Sequence, residues 1–188
     1  MPRSGKEVRQ RLQLAAVELF LENGYDQTTA ESIAARAGVT ERTFFRHFAD
    51  KREVLFGGEA ELRETLTSAI AAVPEGTQPL PTVQAAFHES VPLFERNRSI
   101  NEPGAGLIAS SPALQERSLA KTASLVVAIT DALRARGVEA YTAKLCAQVG
   151  MDTFRSGTGR WQQDPSRGLH ELIDEAFAAL REAANTLG

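Results

Sequence analysis

Apolar side chains recur early in the chain at Val8, Leu12, Ala15, Ala16, Leu19 and Phe20, a spacing that puts all six on one face of an α-helix. Asn23-Gly24 ends that helix, because glycine takes the left-handed conformation that closes a helix terminus. Thr28 with Glu31 has capping-box spacing and predicts a second, short helix from about Thr29, stopped by Gly38. Thr40 caps a third, Glu41-Arg42-Thr43-Phe44-Phe45-Arg46-His47-Phe48. Two short helices about a turn at Ala37-Gly38-Val39 make the pattern of a helix-turn-helix. Asp50 with Glu53 predicts a fourth helix from about Lys51 to about Val73. It contains Gly57-Gly58, at a cost of roughly 1 kcal/mol per glycine relative to alanine.

Pro74 to Pro81 holds three prolines and reads as a linker. Beyond it the pattern predicts a helix from about Thr82 to Glu95, bent at Pro92. Around Asn101–Ala109 the breakers Pro103, Gly104 and Gly106 predict a looser segment, a flexible gate or a simple loop. Ser111-Pro112 starts a long helix that Gly137 ends. The last two helices span about Glu139–Gln163 and Ser166–Leu187, separated by Asp164-Pro165. The fold class is therefore all-α, with about nine helices in total. A three-helix helix-turn-helix head over residues 1–50 joins a larger helical bundle over residues 51–188.

Composition narrows the function. Among 188 residues 43% are apolar, enough for a real core, and only 6% are aromatic. The net charge of −3 argues weakly against a generally basic nucleic-acid binder. Its distribution says more: nine Lys/Arg and eight Asp/Glu through Phe56, then twelve against sixteen. A slightly basic head on an acidic body fits DNA contact at one end, although ordinary scatter gives similar numbers. Cys146 is the only cysteine, so no internal disulfide forms. The basic start MPRSGKEVRQRLQ lacks a signal peptide's apolar region, and no apolar run reaches membrane-spanning length. A cytoplasmic protein is expected. Metalloprotease, nucleophile-elbow and phosphate-loop motifs are missing, and His47, His88 and His170 are scattered. Asp152 and Arg155 have the spacing of an ion pair along a helix. The expectation is no enzyme, no metal and no cofactor.

A helix-turn-helix reads DNA by laying its second helix in the major groove. Arg42 has the chemistry to bond a guanine edge, and Thr43 to touch a thymine methyl or a phosphate. The helix starts near Thr29 and Thr40 offer backbone N–H groups to phosphates. Lys51 has the charge to grip the backbone, and Arg3, Lys6, Arg9 and Arg11 form a basic arm.

The run Leu19-Phe20 … Gly24-Tyr25 … Thr28-Thr29 … Ile33-Ala34 … Ala37-Gly38-Val39-Thr40 … Thr43-Phe44-Phe45-Arg46-His47-Phe48 … Lys51 … Val54-Leu55 resembles the DNA-binding region of the tetracycline-repressor (TetR) family, over about residues 8–56 without a gap. The resemblance implies phosphate contact by Thr29, His47 and Lys51, and reading of bases and backbone by Glu41, Arg42 and Thr43. Thr40 is expected to cap and to contact DNA. Phe45 stands where the family usually has Tyr, and without a hydroxyl it is left to pack on sugar or a thymine methyl. Ile33, Ala34, Val39, Phe44, Phe48 and Leu55 are expected to form the head's small core.

The rest of the chain resembles the family only in length and helical layout. That likeness implies a ligand-binding and dimerisation region: a double-stranded DNA operator, a small hydrophobic effector and a homodimer through the last two helices. Candidate lining residues are Phe87, His88, Val91 and Phe94 on one helix, Leu125 and Ile129 on another, and Met151, Phe154, Arg155 and Trp161, each also readable as plain core. Ala140, Ala143, Ala147, Gly150, Phe154, Gly157 and Trp161, with Ile173, Phe177, Leu180 and Ala184, form a small-residue stripe. It suits either the dimer seam or internal packing. The implied function is a ligand-responsive repressor released from a palindromic operator. A transcriptional activator on the same fold, or a helical interaction module without specific DNA activity, remains the alternative. Gly57-Gly58 reads as a hinge, or as a place where helices approach closely.

Overall fold

The computed structural model describes residues 5–164 and 166–186, so Arg3, Pro165 and Leu187 lie outside the described residues. Among the described residues there are nine α-helices and no strand: α1 (Gly5–Asn23), α2 (Ala30–Arg36), α3 (Glu41–His47), α4 (Glu59–Ala72), α5 (Pro79–Arg96), α6 (Arg98–Ser110), α7 (Pro112–Ala135), α8 (Ala140–Gln163) and α9 (Leu169–Thr186). No described helix is long and apolar enough to cross a membrane.

Several boundaries differ from the sequence reading, each for a local reason. The capping box of α2 pairs Thr29 with Ser32, not Thr28 with Glu31. Thr28 is buried instead, and its hydroxyl donates to the carbonyls of Leu19 and Gly24. The fourth helix starts at Glu59, not Lys51. The Asp50 carboxylate does accept from the Arg52 and Glu53 amides, but this closes a turn and nothing propagates from it. Gly57 sits at a close approach: a Cβ there would come within 2.8 Å of Gln13 Nε2 and 3.1 Å of a Phe48 ring carbon, whereas one at Gly58 would meet open space. Pro79 and Pro81 lie in the first turn of α5, where a missing N–H costs nothing. The segment with Pro103, Gly104 and Gly106 is a full helix because Ile100, Gly104 and Leu107 fall on one buried face.

The chain divides into two packed units. The first takes the described residues up to Glu59 together with Asn97–Ala120; the second takes Ala60–Arg96 and the chain from Lys121 on. The core of the first unit is built on Leu12, Phe20, Ile33, Phe44 and Phe48, with Ile100, Leu107 and Leu114 closing it.

In the second unit α8 packs against α5 and α9, and here the small-residue stripe finds its use. A Cβ at Gly150 would meet Val83 Cγ1 at 2.5 Å, and one at Gly157 would meet the Leu172 carbonyl at 3.1 Å. Ala143, Ala147, Phe154, Trp161, Ile173 and Phe177 are buried within the same core. These members of the stripe pack the chain internally, whereas Ala140 and Ala184 at its ends are exposed. Gly150→Ala is therefore expected to destabilise the protein by about 1–3 kcal/mol through overpacking. Thermal unfolding checks this, and an unchanged midpoint counts against the close approach.

Candidate functional site

A seven-residue helix cannot hold itself in water, so α3 depends on its caps and its buried face. Thr40 Oγ1 accepts from the Thr43 amide at 3.2 Å, and the two threonine hydroxyls lie 3.0 Å apart. Phe44 and Phe48 are buried and fix one face. The opposite face carries Glu41, Arg42, Phe45 and Arg46, all exposed. Arg42 makes no hydrogen bond or ion pair with the described residues. Phe45 is 52% exposed, a large apolar surface held edge-on against Phe44 with ring centroids 5.3 Å apart. Gly38, at φ +66°, makes the turn that brings α2 and α3 together. At the start of α2, Thr29 is exposed, and its oxygen already accepts from the Ser32 amide at 3.1 Å. Its hydroxyl proton has no partner among the described residues.

Two residues expected at the phosphate backbone have other work. Lys51 donates to the carbonyls of Tyr25 (2.8 Å), Thr28 (3.0 Å) and Asp26 (3.3 Å), which uses all three ammonium protons, and it sits 4.2 Å from the Tyr25 ring centroid. It pins the loop that leads into the cap of α2. His47 has its Nε2 buried with no hydrogen-bond partner. Burial lowers its pKa below the ordinary histidine value, and the nearby positive charges of Arg46 and Arg9 push the same way. Arg9 is also committed: it donates to the carbonyls of His47 (2.8 Å) and Gly57 (3.1 Å) and lies over the Phe48 ring at 4.4 Å. Gln13 completes this clamp by donating to the Val54 carbonyl at 3.0 Å. The sequence reading missed the Arg9–Gln13 clamp. Its spacing, one helical turn apart on the polar edge of α1, was the available signal.

Eight of the ten residues expected to line an effector site belong to the core or pack against it. Phe87, Val91, Leu125, Ile129, Met151, Phe154 and Trp161 are buried in one cluster, and Phe94 packs against it. The Phe87 and Phe154 rings stack 4.1 Å apart at 6°, with Phe94 edge-on to Phe154 at 5.2 Å. Arg155 is exposed on α8, and His88 is tied to His170 and Asp174. An apolar helix face reads the same whether it fills a core or lines a cavity, so periodicity could not separate the two.

A cleft of about 1340 Å³ opens elsewhere in the second unit, between α4 and α7, and none of those ten residues borders it. Its wall is apolar and mostly small, with Ala71, Ala128, Ala132 and Val138, while Arg63, Glu64 and Asp131 supply charge. Arg63 donates to Ser124 across the two helices. Arg136 closes one end by donating to the carbonyls of Ile70 (3.1 Å), Val73 (2.7 Å) and Pro74 (2.9 Å), the last carbonyls of α4 and those just beyond it.

Comparison with known proteins bears on both regions. Residues 14–56 match the family described as "Bacterial regulatory proteins, tetR family", and residues 77–185 that described as "MftR C-terminal domain". The chain is 42% identical over 82 residues to the HTH-type transcriptional regulator TcmR of Streptomyces glaucescens, a match covering 44% of this chain and 36% of TcmR's length. It is 26% identical over 171 residues to the putative mycofactocin biosynthesis transcriptional regulator MftR of Mycobacterium tuberculosis, covering 86% and 83% of the two chains. The structure of Thermus thermophilus FadR, described as a TetR-family repressor in complex with lauroyl-CoA, is 27% identical and covers 93% of each chain at a TM-score of 0.56. A putative TetR-family regulator from Syntrophomonas wolfei, 18% identical, shares the fold over 96% of each chain at a TM-score of 0.68.

Lys51 and His47 generate separate tests. Lys51→Met is expected to destabilise the head by about 1–3 kcal/mol, the worth of hydrogen bonds to a charged group. It leaves the salt dependence of DNA binding unchanged, whereas loss of a direct phosphate contact lowers that slope by about one. Unfolding curves and a salt titration distinguish the two. For His47, folding favours the neutral ring, so the unfolded chain takes the proton more readily. Its contribution is complete above about pH 6.5 and is lost as pH falls below that value. His47→Gln should flatten the decline in thermal stability between about pH 7 and pH 5.5. An identical decline in the variant would show that His47 does not drive it.

Proposed function

The chain belongs to the TetR family of bacterial transcriptional regulators, and on that premise we propose a repressor that binds a palindromic operator as a homodimer and leaves it when a small amphipathic effector enters the cleft between α4 and α7. As a family member it is a DNA-binding transcriptional regulator. The observation that carries the DNA half is the outer face of α3. Arg42 is exposed there with no hydrogen bond or ion pair to the described residues, and Phe45 is exposed with only an edge contact to Phe44, while Phe44 and Phe48 hold the helix from behind.

The division of labour follows from chemistry. Arg42 reads a guanine edge with its two-pronged guanidinium. Phe45 has no hydrogen bond to give a phosphate and takes apolar contact with a thymine methyl. Glu41, Thr43 and Arg46 flank them, and Thr29 and Thr40 use their spare hydroxyl capacity on phosphates. Lys51 and His47 act from behind, by holding the loop before α2 and the end of α3. The dimer forms through α8 and α9 on the faces turned away from the core. There Tyr141 (74% exposed) and Leu145 (50% exposed) lie one helical turn apart. A two-fold pair of heads reads half-sites about 34–36 Å apart.

For the effector, a wall of small apolar side chains with a few charges suits an elongated molecule with an apolar body and a polar end. The lauroyl-CoA held by FadR supports that class. Release requires the ligand to favour the state that does not fit DNA.

Titration against DNA from immediately upstream of the chain's own gene, at physiological salt with random-sequence competitor, is expected to show competitor-resistant binding by two chains per site. Arg42→Ala should cost about 1–3 kcal/mol and relax one operator position. Replacing single thymines by uracil should weaken the wild type at one step and leave Phe45→Ala indifferent. Binding removed by competitor here, and again after selection from a random library, overturns the proposal. Ala132→Trp fills the cleft, so it should preserve operator binding yet abolish release by amphipathic compounds that act on the wild type. Unaltered release in that variant places the effector elsewhere. An activator would show the same binding with transcription rising rather than falling.

A further inference from the structure

We propose that the effector of the cleft between α4 and α7 is a cation, an ammonium group on an apolar body, with its charged end against Glu64 and Asp131. The inference rests on that cleft being the effector site. It follows from which hydrogen-bonding groups the lining has left to offer a ligand.

The donors of the lining are turned onto the protein itself. Arg63 donates to Ser124, and Arg136 has both terminal nitrogens on carbonyls at the end of α4 and just beyond it. The hydroxyls of Thr67, Thr77 and Thr82 donate to the carbonyls of Arg63 (3.0 Å), Pro74 (2.9 Å) and Gln78 (2.9 Å), so what each has left is lone pairs. Backbone N–H groups of the lining are engaged as well: those of Thr77, Gly137 and Val138 go to the carbonyls of Pro74, Arg134 and Leu133. A helix start ordinarily attracts anions through its unpaired N–H groups. The first and third residues of α5 are Pro79 and Pro81, which have none.

The acceptors are left over. Glu64, Glu75 and Asp131 are exposed along the lining. The carboxylates of Glu64 and Glu75 make no hydrogen bond or ion pair with the described residues, and Asp131 lies 4.0 Å from Arg134 on its own helix. Both α4 and α7 end beside the cleft, at Ala72 and Ala135, and a helix C-terminus carries partial negative charge. A carboxylate or phosphate head accepts hydrogen bonds, and here it meets engaged donors and like charge. An ammonium donates, and it meets carboxylates and hydroxyl lone pairs. Burial against Ala71, Ala128, Ala132 and Val138 supplies the affinity for the apolar body. Exposed charge pairs add little to that affinity, but they set the sign of the head that is accepted.

Calorimetric titration of the full-length, DNA-free protein with decylammonium, decanoate and decanol, matched in chain and different in head charge, tests this. Decylammonium is expected to bind about tenfold more tightly than either of the others, with the margin shrinking as salt is raised. Glu64→Gln and Asp131→Asn should each weaken decylammonium about threefold and leave decanol as it was. Ala132→Trp should abolish binding of decylammonium altogether. Decanoate that binds as tightly as decylammonium, and is blocked by Ala132→Trp, overturns the cationic head while the cleft stands as the effector site. Decylammonium binding that survives Ala132→Trp shows that the cleft itself is not the effector site, and the inference falls with it. No saturable binding of decylammonium, or an affinity unchanged in both carboxylate variants, overturns it as well.

Discussion

The burial of Phe44 and Phe48 is the interaction on which the DNA-reading head depends. A helix of seven residues forms too few hydrogen bonds to offset the entropy of its nucleation, and α3 would melt if it stood alone. Its two aromatic rings, packed among Phe20, Ile33 and Leu12, supply the stability that its length denies it. This anchoring also decides what the helix can present. With Phe44 turned inward, Arg42, Phe45 and Arg46 are turned outward, because residues three and four apart share a face of a helix.

The polar side chains around this core act mostly as clamps on backbone. Lys51 satisfies three carbonyls of the loop before α2, and Arg9 and Gln13 satisfy three more beneath Gly57. In the same unit Arg117 binds Glu53 and Glu59 and lies over the Phe56 ring. Such contacts give non-helical segments the hydrogen bonds that a helix would supply from within. They explain why residues 48–58 keep a defined course without forming a helix, and why positive charge near the reading helix is not all available to DNA.

The second unit shows one device used in two ways. Where small residues meet large ones, as Gly150 meets Val83 and Phe87, helices approach closely and the core is dense. Where small residues such as Ala71, Ala128 and Ala132 line the space beside α4 and α7, a cleft remains. A glycine- and alanine-rich helix thus specifies neither a seam nor a pocket until its partner is known.

The sequence by itself determined every helix stop that relies on a special backbone: Gly24, Gly38 and Gly137 all have positive φ and all end helices where expected. It also determined the helix-turn-helix, because turn, cap and buried aromatics lie within a few residues of one another and are read from local chemistry. Tertiary structure decided what depends on distant partners. Lys51 became a loop clamp because Tyr25, Asp26 and Thr28 come to it. α4 starts only at Glu59, and before it Arg9 and Gln13 bond the carbonyls of His47, Gly57 and Val54. The apolar stripe of α8 became core because α5 and α9 cover it. A charge, a glycine pair or an apolar face has a local pattern that the sequence displays, but its role is set by what fills the opposite side, and that is fixed only when the chain folds back on itself.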